Sequence, residues 1–423
     1  MVSIGFVYFC SVIKNNYELQ NDGTMKNILS KRTFIVLPLF LFSLHPLWGQ
    51  KSNFKNDICI PGKLYMLSDI RNDVFVEALI KRWRPYNDFV RFSGDCVYSR
   101  KLNRVASVDT PVDGSNMKIE LVNSDEFETI KEKAISICVG KKGIGTQEVT
   151  VQILGDSFVN GAFFRDALLS KNYIPGIKLV GLRNIKNEEG QYDEGRGGWT
   201  VKKYFEIPKG EMTSYHGYMQ PVGEYRYWGS CEFWKNCYKV INGELTDTEI
   251  VYNCGRYDQC ITKFDKETGY LAAPKKNDLM YDNARGSYMV YTGKKWKNVE
   301  VDERKWAFNY RKYLDMWNLD APKFFAQMLG LNDYRDSLTA DYREWNKKIA
   351  EMKESYYKAV PDGKFIILIP CTTCGSLNNI RGDFTLRQNA SMWQLRKNII
   401  DTFDGRESEG YYVVDIGITI DNE

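Results

Sequence analysis

The spacing of hydrophobic positions changes near residue 148. Between residues 57 and 140 the apolar runs are short and extended: Lys63 to Met66, Phe89 to Phe92, Met117 to Val122 and Ile135 to Val139, separated by Asp, Asn, Gly and Pro. That pattern predicts a small all-β sandwich over residues 51–147. Gly140 to Thr146 is basic and glycine-rich but lacks the Gly-Lys-Ser/Thr ending of a phosphate loop, so it reads as a linker. Beyond it, β-branched runs alternate with helical spacing. Strands are predicted at Val149 to Leu154, Ile177 to Leu182, Lys323 to Leu329, Phe365 to Ile369 and Tyr411 to Ile416. Helices are predicted at Phe158 to Leu169, at Tyr334 to Val360 with Trp345, Ile349, Met352 and Tyr356 on one stripe, and near 385 to 403. Strand and helix repeated in this way imply an α/β domain over 148–423, a parallel sheet between helices, with a long insert at about 199–320. In such sheets the functional crevice lies at the carboxyl ends of the strands.

Two strand ends, and a glycine-rich turn between them, carry candidate chemistry. Gly155-Asp156-Ser157 delivers a serine hydroxyl at the head of a helix, where backbone N–H groups can stabilise an oxyanion; the alternative reading is a plain helix N-cap. Gly330-Leu331-Asn332-Asp333 places an Asn amide at a second end, with Asp333 able to cap the helix that follows. Between them, Glu194-Gly195-Arg196-Gly197-Gly198-Trp199-Thr200 is a glycine-rich turn able to offer an unobstructed N–H. The Ser157 backbone, the Gly198 backbone and the Asn332 amide are thus expected to converge on one point.

These blocks, in this order, resemble the SGNH, or GDSL-like, hydrolase superfamily over about 270 residues from 149 onward. The resemblance implies a three-layer α/β/α, flavodoxin-like fold and ester hydrolysis with Ser157 as nucleophile. Gly198 and Asn332 would complete the oxyanion hole, and no cofactor or metal is called for. Tyr225-Arg226-Tyr227-Trp228-Gly229 and Asp278-Leu279-Met280-Tyr281-Asp282 look like the long insert of exported members that carry an N-terminal β-sandwich. The family's terminal Asp-x-x-His block is absent: only Gly417 to Glu423 follow the last predicted strand. That departure predicts a C-terminally truncated form of a longer enzyme or, second, an inactive relative; either would hydrolyse poorly. The chain has only two histidines, His45 and His216. His216 is read as a surface or insert-packing residue, with a substitute base as the alternative.

The N-terminus reads as an address. From Met25, basic Lys26, Lys31 and Arg32 precede a leucine-rich apolar core, Phe34 to Leu47, and then Gly49. This is the pattern of a secretory signal peptide, with a buried core helix as the alternative. Residues 1–24 resemble no targeting element, so Met25 is the expected start and 1–50 are assigned to extension and signal peptide. The expected location is therefore periplasmic, cell-surface or extracellular. No run reaches the roughly 18 apolar residues of a membrane span. Charge is balanced, with 58 Lys+Arg against 54 Asp+Glu, which argues against a dedicated nucleic-acid binder.

Of ten cysteines, Cys10 lies in the leader, and the nine others cannot all pair with one another. Cys231, Cys237, Cys254 and Cys260 form two Cys-x5-Cys steps, wider than zinc spacing, and are expected to form disulfides. Cys371 and Cys374 are read as a loop rather than a redox motif. Between Tyr215 and Tyr238, eight of 24 residues are aromatic, suited to sugar rings, to acyl chains or to the insert's own core. The expected function is an exported ester hydrolase acting on a small-molecule or glycan ester. The alternative is a catalytically inactive glycan-binding relative.

Overall fold

The computed structural model describes residues 56–68, 70–81, 88–95, 97–100, 104–123, 127–140, 148–161, 165, 168–169, 176–183, 192–210, 215–244, 261–370 and 386–419. The leader with His45, the linker core and the Cys371/Cys374 pair lie outside these residues. Seven strands come first: β1 (Lys63–Leu67), β2 (Asn72–Phe75), β3 (Asp88–Gly94), β4 (Val97–Arg100), β5 (Val105–Val108), β6 (Asn116–Asn123) and β7 (Thr129–Gly140). They form a four-stranded sheet, β1-β7-β6-β3, and a three-stranded sheet, β2-β5-β4. The two-residue side-chain period of a strand explains the core. Along β6, Met117, Ile119 and Leu121 are fully buried while Asn116, Lys118 and Glu120 are not.

The second unit starts at β8 (Val149–Gly155), followed by the single-turn helix α1 (Ser157–Asn160), β9 (Ile177–Leu179) and β10 (Glu194–Gly195). An insert then contributes β11 (Met219–Pro221), β12 (Arg226–Ser230), α2 (Cys231–Ile241), β13 (Asp278–Asp282), β14 (Ser287–Tyr291), β15 (Trp296–Val299), β16 (Trp306–Phe308) and α3 (Tyr310–Trp317). The chain returns through β17 (Phe324–Met328), α4 (Leu331–Tyr334), α5 (Arg343–Ala359), β18 (Lys364–Ile369), α6 (Leu386–Phe403) and β19 (Tyr411–Asp415).

All pairings in the second unit's main sheet are parallel. Its order is β10-β8-β17-β18-β19, and β9 shares the β10 edge, pairing with the first half of β8. β18 shows why such strands read as unbroken apolar runs: both faces are covered. Phe365, Ile367 and Ile369 join the cluster built with the buried stripe of α5 and with α6. Ile366 and Leu368 join a second cluster that is continuous with the sandwich core. Each such side chain contributes about 1.5–3 kcal/mol by leaving water.

One predicted helix is interrupted in the structure. The helix expected from Tyr334 to Val360 is two, because Asp336, Ser337, Thr339 and Asp341 fall between α4 and α5. Such side chains compete for backbone groups and favour turns and helix starts. Asp341 accepts the Arg343 N–H at 3.0 Å where α5 begins. Trp306, Tyr310, Leu314 and Trp317, four aromatic or aliphatic residues at near-helical spacing, do not share one helix. Trp306 lies on β16, and Asn309 caps α3 by accepting from the Lys312 N–H at 2.9 Å.

The insert's aromatic run is packing. Tyr215, Tyr218, Tyr227, Trp228, Phe233 and Trp234 are all buried in the larger cluster. Cys237 is disulfide-bonded, whereas Cys231, expected to pair, is a buried free thiol. Among the described residues no helix is long and apolar enough to cross a membrane.

The leading all-β unit is joined to the parallel-sheet unit by polar contacts. Arg396 of α6 donates through Nε to the Cys59 carbonyl at 2.8 Å and pairs with Asp415 at the end of β19, both side chains fully buried. The Gly62 N–H donates to Asp404 at 2.7 Å. Truncating one partner of a buried ion pair strands the other charge. Arg396→Ala should therefore lower unfolding free energy by about 3–5 kcal/mol, read as a shift in the urea midpoint.

Candidate active site

The end of β8 is shaped by a glycine that nothing else could replace. A Cβ on Gly155 would stand 2.5 Å from Val159 Cγ2 and 2.8 Å from the Met328 carbonyl. Asp156, buried, accepts the Phe158 N–H at 3.0 Å and so starts α1. Ser157 follows with its side chain exposed, and its hydroxyl has no hydrogen-bond partner among the described residues.

The turn after β10 is fixed to the same place. The Arg196 N–H donates to the Gly155 carbonyl at 2.9 Å. The Tyr204 hydroxyl lies 2.8 Å from that carbonyl and 2.7 Å from the Glu194 carbonyl, tying the ends of β8 and β10 together. Gly195 packs so close to α1 that a Cβ would reach 2.2 Å from the Asn160 nitrogen. Trp199 N–H closes a turn on the Arg196 carbonyl at 3.2 Å, leaving Gly197 and Gly198 at its exposed corner. Gly198 adopts φ +72°, which favours glycine, and its N–H has no partner among the described residues. Trp199 is anchored by the Arg196 guanidinium over its ring at 4.9 Å and by edge contacts to Tyr204 and His216.

The end of β17 meets this turn directly. Asn332 Nδ2 donates to the Trp199 carbonyl at 3.1 Å, using one of its two N–H bonds. Asp333 does more than cap its own turn: the Val201 N–H donates to both of its carboxylate oxygens, at 3.1 and 3.2 Å. Ser157, Gly198 and Asn332 thus stand after three neighbouring strands, β8, β10 and β17. Asn332 is bonded to the Gly198 turn, while the Ser157 hydroxyl bonds to neither.

Two groups escaped sequence reasoning. Glu194 and Arg196, read only as the flanks of a glycine turn, form a fully buried ion pair at 3.0 Å. Glu194 also accepts from the Leu182 N–H at 2.8 Å and the Tyr313 hydroxyl at 2.5 Å. The signal was present in the charge pair bracketing Gly195 at a strand end. His216, by contrast, is neither on the surface nor suited to act as a base. It is buried, its Nδ1 accepts the Tyr218 N–H, and its Nε2 faces the Glu206 carbonyl, each at 3.2 Å. Burial, with Arg196 nearby, pushes its pKa down to about 3, so it stays neutral at physiological pH. Among the described residues no group of three His, Cys, Asp or Glu side chains could hold a metal.

The carboxyls are the electrostatic feature of the site. Burial raises Asp156 to about 6. Burial, with the Asp156 charge adding to it, raises Asp333 to about 7. Between the ordinary value of 3.8 and these raised values, the folded chain holds protons that the unfolded chain releases. These two groups therefore cost stability progressively as pH rises through that window. Asp333→Asn keeps an acceptor and removes the charge. It should raise the melting temperature at pH 8, at roughly 2–4 °C per kcal/mol, and leave it little changed at pH 4, as checked by calorimetry at both pH values.

No family model matches this chain, and no curated protein matches it. Two solved structures from Bacteroides fragilis NCTC 9343 align with part of it. One is a candidate alpha-galactosidase/melibiase, at 8% identity and TM-score 0.18, covering 74% of this chain and 52% of its own. The other is a candidate alpha-galactosidase, at 10% identity and TM-score 0.19, with coverage of 74% and 52%. The chain spans about half the length of these structures, and likeness at this level carries no argument about fold or function.

Proposed function

We propose that this chain is an exported SGNH-type ester hydrolase with Ser157 as nucleophile. The observation that carries the reading is the bond between Asn332 and the Gly198 turn, beside the strand end that delivers an exposed Ser157. The expected signal peptide at 25–50 supports export.

The chemistry follows from the donors. Ser157 Oγ attacks the ester carbonyl carbon, and the carbonyl π pair moves onto oxygen. That oxyanion is received by the N–H groups of Ser157 and Gly198 and by the second N–H of Asn332, each worth about 3–4 kcal/mol in the transition state. Collapse breaks the acyl carbon–oxygen bond, and the alcohol leaves with a proton. Water then attacks the acyl-serine, releasing the carboxylic acid and restoring the hydroxyl. The serine proton needs an acceptor, yet both His216 nitrogens are engaged and no described side chain bonds the Ser157 hydroxyl. Slow turnover is the expectation.

The same unpartnered hydroxyl favours a second reading, a glycan-binding relative that keeps the crevice without the base. The buried aromatics of the insert lend no support to a sugar platform, so the glycan would have to be held by the crevice itself.

Hydrolysis of an aryl acetate by the purified chain, compared with Ser157→Ala, separates the readings. The expected result is slow release that falls to the uncatalysed rate in the variant. Equal rates in both proteins would discard Ser157 as nucleophile. Glycan-array binding with no serine-dependent release would favour the second reading.

A further inference from the structure

The dipeptide Asn332-Asp333 grips the 196–201 turn at two points, both just beyond its exposed Gly197-Gly198 corner. Asn332 takes the Trp199 carbonyl and Asp333 the Val201 N–H, two residues apart on the same stretch. The Asp333 carboxylate faces the amides of its own turn, at Gly330 and Asp333, and takes the Val201 amide as well. That last bond spans 132 residues of sequence to reach a second loop. It does so from the largely buried side of the turn, while Gly197 and Gly198 remain exposed on the other.

We infer that Asp333 is a positioning residue that fixes the direction of the Gly198 N–H by holding the Val201 amide. The role rests on the hydrolase reading above. The geometry explains why two bonds are used. Arg196 ties the turn to the Gly155 carbonyl before the corner, but Asn332 alone would leave the Gly197-Gly198 corner free to rotate against the Trp199 carbonyl, with no side chain there to resist it. A second bond beyond Trp199 removes that rotation before substrate arrives, which is what preorganised donors require. Tyr204, bridging the Gly155 and Glu194 carbonyls, fixes the turn's other flank and completes the frame.

The test uses the full chain, wild type and Asp333→Ala, with two readouts. One is hydrogen exchange of the Val201 amide by mass spectrometry or NMR. The other is the rate and concentration dependence of Ser157 modification by an alkyl fluorophosphonate, in which Oγ forms a bond to phosphorus as fluoride leaves. Expected for Asp333→Ala are tenfold or faster exchange at Val201 and a maximal modification rate lowered by about 10–100-fold, with the half-saturating probe concentration unchanged. Asp333→Asn, which retains an acceptor, should recover part of that rate, and it carries the test if the alanine variant does not fold. Unchanged exchange would overturn the clamp. Faster exchange with an unchanged modification rate would overturn its link to Gly198. Failure of the wild-type Ser157 to react at all would sink the hydrolase reading and the positioning role with it, whereas loss confined to Asp333→Ala would sink neither.

Discussion

A carboxylate with no exposure to water, Glu194, is the point on which the crevice depends. Burying a charge is costly unless strong donors surround it. Glu194 collects them from three places: the Leu182 amide after β9, the Tyr313 hydroxyl on α3 of the insert, and the Arg196 guanidinium in its own turn. The demand of one anion thus draws the sheet edge, the insert and the glycine turn together. Arg196, fixed by that bond, lies against Trp199, and Trp199 presents the carbonyl that Asn332 takes. The network continues through Gln152 on β8, which donates to Tyr313 at 3.0 Å and accepts from Tyr310 at 2.6 Å. The insert, by this account, is part of the crevice's support.

The glycines obey a second constraint, closeness. Gly155 and Gly195 lie where any side chain would collide with backbone or with Val159, so strand ends and α1 can approach within contact of bare peptide. Gly198 differs. Nothing lies near its missing Cβ, and its requirement is the sign of φ. One motif therefore carries two physical demands, room at Gly195 and backbone handedness at Gly198.

What the sequence disclosed follows the range of the forces involved. Strand positions such as Lys364–Ile369 and Tyr411–Asp415 lie within a residue of runs visible as apolar stretches, because burial on both faces writes itself locally. Ser157 and Asn332 could be named because each follows such a run, and Gly198 because it sits in a glycine-rich turn between them. The break between α4 and α5 was missed because the apolar stripe of Trp345 to Tyr356 masked the turn-forming Asp, Ser and Thr before it. Long-range polar choices left no local trace. Nothing in the sequence says that Asp333 turns to Val201, that His216 has both nitrogens occupied inside the insert, or that the aromatics from Tyr215 to Trp234 face one another. Asp333 reaches a partner 132 residues away, whereas His216 and the aromatics meet partners close in sequence whose packing no local pattern specifies.

The apolar cluster shared by the sandwich and the parallel sheet has an architectural consequence. Ile366, Leu368 and Val414 belong to the same continuous core as Ile60, Leu67 and Ile119. The leading unit is therefore no detachable bead on a string. Cutting the chain at the linker would leave each half with a raw oily wall, and the cleanest excision by primary structure would be among the worst by solubility.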